Sequence, residues 1–416
     1  MTRRLRALML APAMPAPGGN GLAMRLNLFL QALTRIADVD LVVAPLFGPL
    51  RMDAIDCSKD TGLRVHVIDM ARAVDTHFGL LMRVIDPPAR ADAFARFGKP
   101  SLAARIAPKA FEQVPDEIKT RRYDIIHAAR SYLAPLSLEF CGKNLQRRRP
   151  LLTLDLDEDD GRVFDGLAGL AARHGNRSDQ RWLTLEANAF RRLVDAVVPA
   201  FDRVWVASPT DAARLRSRFH SPGIRVFPNT VAGSPALRRS DARRMLLFVG
   251  SLGYEPNRDA VEWLLRDIWP KLRHVSNLEL RIAGGGAPER LRRLAGQRGA
   301  TMLGWVQDLD RHLRAATMMI APIRVGAGTR IKVLESAMQG VPIVTTPLGA
   351  EGLGLSPKHH IWLAEDAVAF AATITYALAN AAERRRRANL ARSYVASRFR
   401  LQHNVARLAQ QLLDGV

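Results

Sequence analysis

Cysteine is almost missing from this chain. Only Cys57 and Cys141 occur in 416 residues. Two thiols exclude a disulfide framework and a multi-cysteine metal site, and they read as small residues of a reducing compartment. Long apolar runs are missing too: no stretch approaches the ~18 apolar residues that a bilayer-spanning helix needs. No short-period repeat is visible, which excludes a solenoid or propeller. Neither a helix-turn-helix nor an aromatic-stacking motif is recognisable, so specific nucleic-acid binding has no motif behind it. Acidic residues are few relative to basic ones, 40 against 61, for a net charge of +21. That excess attracts nucleic acid, anionic lipid and anionic substrates without specificity. Much of it is arginine spread over the whole chain, including the run Arg384, Arg385, Arg386 and Arg387. Genomic composition bias explains such a spread as well as a membrane-surface role does, and both readings stay open.

What remains is ordinary for a soluble globular protein: 48% hydrophobic and 24% charged residues. The length suggests two or three domains. Near the N-terminus a basic start, a short apolar run and small residues resemble a signal peptide. Pro12 interrupts the run, however, and Gly18, Gly19, Asn20 and Gly21 follow at once. A first strand over residues 5–10 entering a glycine loop explains the same letters better.

From there strands and helices alternate, as in parallel βαβ units. Strands are predicted over 39–44, 65–69, 125–127, 151–154, 204–207 and 224–227, with helices after residue 21, over 179–197 and over 209–219. Residues 74–120 are harder to assign. Leu80, Leu81, Val84 and Ile85 form an apolar cluster among arginines, read either as a helix packed on the domain or as an amphipathic helix touching lipid. The strand at 151–154 runs into Asp155 and Asp157. This D-x-D pattern is read as a solvated acidic turn or an acceptor hydroxyl contact rather than a metal site.

Residues 236–244, small, polar and basic, are read as a linker. They separate an N-terminal domain (1–235) from a C-terminal one (245–396), with a last helix over 397–416 packing back on the N-terminal domain. After the linker the pattern restarts: strands over 245–249, 278–283, 317–321, 343–345 and 361–363, and a helix over 257–269. Two doubly wound α/β halves of this kind face one cleft, with ligands at the carboxyl ends of the strands. Each glycine loop falls at such an end. In residues 326–355 a glycine-rich loop precedes a helix carrying Ile331, Leu334, Ala337 and Met338 on one face. Free N–H groups at the helix start suit an anion. Lys332 and Glu335, three residues apart, project from one side. A phosphate beside the lysine and a polyol beside the glutamate fit that layout.

These segments resemble the GT-B glycosyltransferases, in particular family 4, retaining enzymes that build bacterial surface polysaccharides. The resemblance is carried by residues 248–265, 280–286, 304–309 and 326–353, and more loosely by the Gly18–Gly19 loop, residues 123–127, 206–211 and 227–229. It implies that Glu335 holds the donor ribose and Lys332 the donor diphosphate. Gly326, Gly328, Thr329 and Arg330 would line that diphosphate, with Gly250 and Ser251 nearby. Gly304, Trp305 and Val306 would border the base. Gly18, Gly19 and Asn20, with Arg130, would face the diphosphate or sugar from the other half. The donor is then a UDP- or GDP-sugar, and neither a metal nor a further cofactor is required. The acceptor is a saccharide or polyprenyl-linked, with peripheral contact to anionic lipid at the cytoplasmic face of the membrane.

Three departures stand out. The carboxylate expected eight residues before Glu335 is replaced by Ala327, and a histidine frequent in the family is replaced by Ala129. Ser251 also stands where relatives often carry an arginine, a role that Arg258, Arg324 or Arg330 would have to take. His127 reads as a packed strand-end histidine. A nucleotide-sugar epimerase of the same fold, a silent glycosyltransferase-like subunit, and a membrane- or nucleic-acid-binding protein remain the alternatives.

Overall fold

A computed structural model describes residues 4–47, 62–106, 109–143, 149–219, 223–233 and 244–414. Cys57 and nearly all of the predicted linker lie outside these residues. The chain divides into two units, Met1–Pro228 with Gln402–Val416, and Asn229–Leu401.

The first unit is built on a parallel seven-stranded sheet. Its strands are β1 (Leu5–Ala11), β2 (Ala37–Val43), β3 (Leu63–Val67), β4 (Ile125–Ala129), β5 (Leu151–Asp157), β6 (Arg203–Val206) and β7 (Ile224–Val226). They lie in the order β3-β2-β1-β4-β5-β6-β7, so chain order reverses between β1 and β4. Central strands buried on both faces read as continuous apolar runs. Accordingly, all five residues of β4 are buried, as are Ala7 to Ala11 of β1.

Helix Gly21–Ile36 starts where the Asn20 side chain accepts the Ala23 N–H at 2.8 Å, a polar N-cap. Its inner face buries Leu26, Phe29 and Leu33. It also buries Arg25, whose Nε and Nη2 reach Asp155 at 2.7 and 2.6 Å, while Nη1 donates to the Phe227 carbonyl at 3.0 Å. One guanidinium thus ties the first helix to β5 and to the end of β7. Here the structure corrects the reading of residues 155–157. They continue β5 rather than forming a solvated turn, and Asp155 turns both oxygens to Arg25.

Short helices occupy Met70–Ala73, Thr76–Leu81, Pro87–Phe97, Ser101–Ala104, Lys109–Glu112 and Asp116–Lys119. Thr76–Leu81 and Pro87–Phe97 bury Phe78, Leu81 and Phe94 in a small core shared with Trp182 and Leu185 of helix Arg177–Val197. The predicted apolar cluster splits: Leu81 is buried, whereas Leu80 and Ile85 face solvent. The last helix, Leu401–Leu413, belongs to this unit from Gln402 onward. Arg407 stacks over Phe227 at 4.7 Å, and Arg203 donates to the Gln411 carbonyl.

The second unit carries a parallel six-stranded sheet of β8 (Arg244–Val249), β9 (Leu278–Ala283), β10 (Thr301–Gly304), β11 (Met318–Ala321), β12 (Ile343–Thr345) and β13 (Trp362–Leu363). The order is β10-β9-β8-β11-β12-β13, with the reversal between β8 and β11. The single helix predicted over 257–269 is replaced by three turns of different pitch. It runs as an α-helix over Glu255–Trp263, widens to a π-turn over Leu264–Ile268 and tightens to a 3-10 turn over Trp269–Leu272. Pro270 is the reason: it has no N–H and its ring excludes a regular i−4 carbonyl contact. Among the described residues, no helix is long and apolar enough to cross a membrane.

The Arg25–Asp155 pair makes a direct prediction. Arg25→Met leaves Asp155 charged and buried, and should lower the unfolding free energy of this unit by about 3–5 kcal/mol in urea titration. The double change Arg25→Met with Asp155→Leu should recover most of that loss. Equal stability of the single variant and the unaltered protein would contradict the assignment.

Candidate functional site

The loops after β8, β9 and β10 are laced together by their backbones. Gly250 N–H donates to the Ala283 carbonyl at 3.0 Å, Leu252 N–H to Gly285 at 2.7 Å and Gly284 N–H to Gly304 at 2.7 Å. A side-chain carbon at Gly284 would sit 1.8 Å from the Gly250 oxygen, so only glycine permits this approach. The Ser251 carbonyl accepts Asn257 Nδ2 at 2.9 Å. Trp305 backs onto Gly285 and leaves 67% of its surface exposed, with Val306 half-buried beside it.

On the other side of the reversal, β11 leads into the loop before helix Ile331–Met338. Gly326 takes a φ of 129°, open only to glycine at low cost. Arg330 folds back so that Nη1 donates to the carbonyls of Ala327 and Gly328, the latter at 2.7 Å. Thr329 Oγ1 accepts Asn229 Nδ2 at 2.8 Å. The helix buries Ile331, Val333, Leu334, Ala337 and Met338. That leaves Lys332 and Glu335 together on the opposite side, Nζ to Oε2 2.7 Å, one-quarter and one-fifth exposed. A lysine and a carboxylate in the first turns of one helix, here paired with each other, are groups that can receive an anion and a hydroxyl-rich group side by side.

The candidate substitutes for the arginine missing at Ser251 are occupied. Arg258 donates to the carbonyls of Leu252 (3.3 Å) and Gly253 (3.1 Å) and pairs with Glu255. It braces the 250–253 loop instead of standing free as a catalytic cation. Arg324 holds Asp259 by two bonds of 3.0 and 2.6 Å and lies over the Trp263 ring at 4.7 Å.

In the first unit, Gly18, Gly19 and Asn20 follow β1 at its own reversal. Next to them in the sheet, β4 is followed at once by Arg130 with a φ of 78°, and β5 ends in Asp157 with a φ of 61°. Non-glycine residues in that region store on the order of 1–3 kcal/mol each, so the surroundings must hold them. Arg130 supplies the hold. Its Nη1 reaches Asp157 at 3.1 Å, and its Nη2 reaches Glu158 at 3.0 Å and Asp160 at 2.8 Å. Ser131 Oγ adds a 3.0 Å bond to Asp160. The expectation that Arg130 is a cation facing the donor is therefore corrected: it is buried and spent on three carboxylates of its own unit. Burial lifts the Glu158 carboxyl above the usual range against the pull of Arg130, with Asp157 and Asp160 adding to the lift.

His127 is fully buried, stacked on Phe29 at 4.5 Å, with Nδ1 2.9 Å from Thr153 Oγ1. Burial first, and then the Arg25 charge, push its pKa down to about 3. It packs the sheet.

Residues 243–380 match the family model described as Glycosyl transferases group 1. Within solved structures, the chain superposes on sucrose-phosphate synthase of Thermosynechococcus elongatus with a TM-score of 0.67 and 17% identity, covering 99% of each chain. It superposes on Anabaena HepE, solved with UDP and glucose, with a TM-score of 0.61 and 13% identity over 99% of this chain and 100% of that one. The fold is GT-B. An uncharacterized 44.6 kDa protein in the cps region of Klebsiella pneumoniae is 27% identical over 135 residues, which is 30% of this chain and 35% of that protein. The match thus spans about a third of that relative's length. The family model falls in the unit that bears Lys332 and Glu335.

The environment of His127 fixes a pH dependence. Its folded pKa of about 3 lies below the ordinary 6.5. On acidification the unfolded chain takes the proton first, so this residue's contribution is complete above about pH 6.5 and is lost progressively towards pH 3. NMR should find an imidazole that stays neutral between about pH 5 and 8. A titration midpoint inside that window would refute the burial argument.

Proposed function

We propose that this protein is a retaining glycosyltransferase that moves a sugar from a UDP- or GDP-sugar to a saccharide or polyprenyl-linked acceptor, in the assembly of a surface polysaccharide. The observation that carries the reading is the Lys332–Glu335 pair on the helix that begins beside the β8/β11 reversal. The group 1 domain, and the UDP and glucose held by a protein of the same fold, support it.

The chemistry follows from where charge develops. The bond between the sugar's anomeric carbon and the diphosphate oxygen breaks, and the acceptor oxygen bonds to that carbon on the same face. The departing nucleoside diphosphate gains negative charge and takes the acceptor's proton, so no side-chain base is required. Lys332, once its ion pair with Glu335 opens towards the diphosphate, and the N–H groups of the 326–330 loop stabilise that charge. Glu335 accepts the two ribose hydroxyls, for which an ionised carboxylate has the lone pairs. Gly250 and Ser251 bring backbone close to the diphosphate, and Gly304, Trp305 and Val306 border the base. Ala327 leaves the sugar without the carboxylate that relatives place there, so the transferred sugar is recognised by other groups. The basic surface suits attachment to anionic lipid, where a polyprenyl-linked acceptor resides.

Two measurements test the reading. Lys332→Ala should lower kcat by about 10²–10³, equivalent to about 2.7–4 kcal/mol in the barrier, while leaving the melting temperature unchanged. A normal rate would remove Lys332 from the mechanism. In a thermal-shift panel, the true donor at a hundred times its Kd should stabilise the protein by about 2.7 kcal/mol, and Glu335→Ala should weaken that response. No response to any uridine or guanosine diphosphate sugar would overturn the donor class. Turnover without an acceptor would favour an epimerase.

A further inference from the structure

We propose that Asn229 is a positioning residue for the donor diphosphate, acting through the hydroxyl of Thr329. The inference rests on the reading above for the identity of the anion. It adds the residue that aims one donor of the glycine loop.

Asn229 lies where the chain leaves the first unit, which ends at Pro228 and resumes at Gln402. Its backbone is held on both sides. Two residues before it, Phe227 donates its N–H to the Val206 carbonyl at 2.9 Å and accepts Arg25 Nη1 at 3.0 Å. Two residues after it, Val231 donates to the Phe399 carbonyl at 2.9 Å and accepts the Leu401 N–H at 3.0 Å. These two bonds make an isolated parallel bridge between Val231 and Arg400. Pro228 removes further freedom by fixing its own φ and disfavouring the helical region for Phe227. The asparagine is therefore carried by backbone with little room to turn, and only 2% of it is exposed.

Its side chain spans a sequence separation of 100 to reach the glycine loop, where Nδ2 donates to Thr329 Oγ1 at 2.8 Å. The direction of that bond decides what the hydroxyl can do. A hydroxyl carries one proton and two lone pairs. Because the Asn229 N–H occupies a lone pair, the Thr329 proton points elsewhere, and among the described residues no acceptor takes it. Thr329 is half-buried between Gly328, at a φ of 69°, and Arg330, whose Nη1 gathers the carbonyls of Ala327 and Gly328. Two carbonyl oxygens of the loop are thus committed to a guanidinium, while one hydroxyl proton is left for an incoming oxygen anion. Lys332 follows three residues later, on helix Ile331–Met338. The diphosphate then meets a directed O–H as well as a flexible ammonium. A hydrogen bond to an ionised acceptor is roughly twice as strong as one between neutral groups. A tie that served stability alone would change unfolding and leave nucleotide affinity untouched.

Isothermal titration of the full chain with UDP and with GDP reads affinity for the nucleoside diphosphate without requiring turnover. T329V should weaken binding about tenfold, the worth of one hydrogen bond to a charged group, and T329S should keep the native affinity. N229A releases the hydroxyl rotor and should weaken binding about fivefold. In N229A/T329V the loss should stay at that of T329V, since Asn229 then has no hydroxyl to aim. Multiplied losses, about fiftyfold in the double variant, would show Asn229 acting independently and overturn the proposal. Native affinity in N229A would do the same. Because Asn229 is buried, urea titration accompanies each variant, and native affinity in T329V overturns the proposal whether or not N229A folds. Failure of the native chain to bind either nucleotide would defeat the donor class and this proposal together. Native binding that N229A leaves unchanged would remove Asn229 alone. The expected losses without any sugar transfer would support the positioning role and defeat only the enzymatic reading.

Discussion

A parallel sheet whose chain order reverses has an unavoidable gap. The two strands at the reversal send their connections to opposite faces, so their carboxyl ends lose cover from each other's loops. Both units of this protein are built on that constraint, between β1 and β4 in one and between β8 and β11 in the other. Everything assigned to ligand chemistry in the second unit follows from it. The glycine loops after β8, β9 and β11, the start of helix Ile331–Met338, and the Lys332–Glu335 pair all lie at strand carboxyl ends or immediately after them.

The same constraint is handled differently in the first unit. There the carboxyl end of β4 and β5 is filled by the protein's own charges, with Arg25 on Asp155 and Arg130 on Asp157, Glu158 and Asp160. Breaking one side of such a buried pair leaves an uncompensated charge, at a cost of about 3–5 kcal/mol. They also hold two non-glycine residues at positive φ, Arg130 and Asp157. Rigidity here is electrostatic, whereas in the second unit it comes from glycine loops laced by backbone hydrogen bonds. The first arrangement fixes a surface; the second holds the Lys332–Glu335 pair at the start of helix Ile331–Met338.

Arginine use reconciles the large positive charge with specific structure. Arg25, Arg130, Arg258, Arg324 and Arg330 each hold named carboxylates or carbonyls. Charge counted from composition therefore overstates what is available to a partner. Location matters more than total.

Much of this was legible in the sequence because it depends on local rules. Alternating apolar runs and helical stripes announce parallel βαβ units, and the glycine loops mark strand ends. Three-residue spacing alone puts Lys332 beside Glu335, as a helix repeats every 3.6 residues. Those features survive in any fold that keeps the helix. Tertiary structure alone decided the rest, since it concerns partners far apart in the chain. Arg25 meets Asp155 across 130 positions, and nothing near either residue announces the other. Asp155 and Asp157 looked like a solvated turn because acidic runs usually are; two buried guanidiniums made them strand. Arg130, Arg258 and Arg324 looked free until the fold supplied carboxylates and carbonyls within reach. Spacing determines which side chains share a face of a helix, but only packing determines whether a charge on that face is already paired.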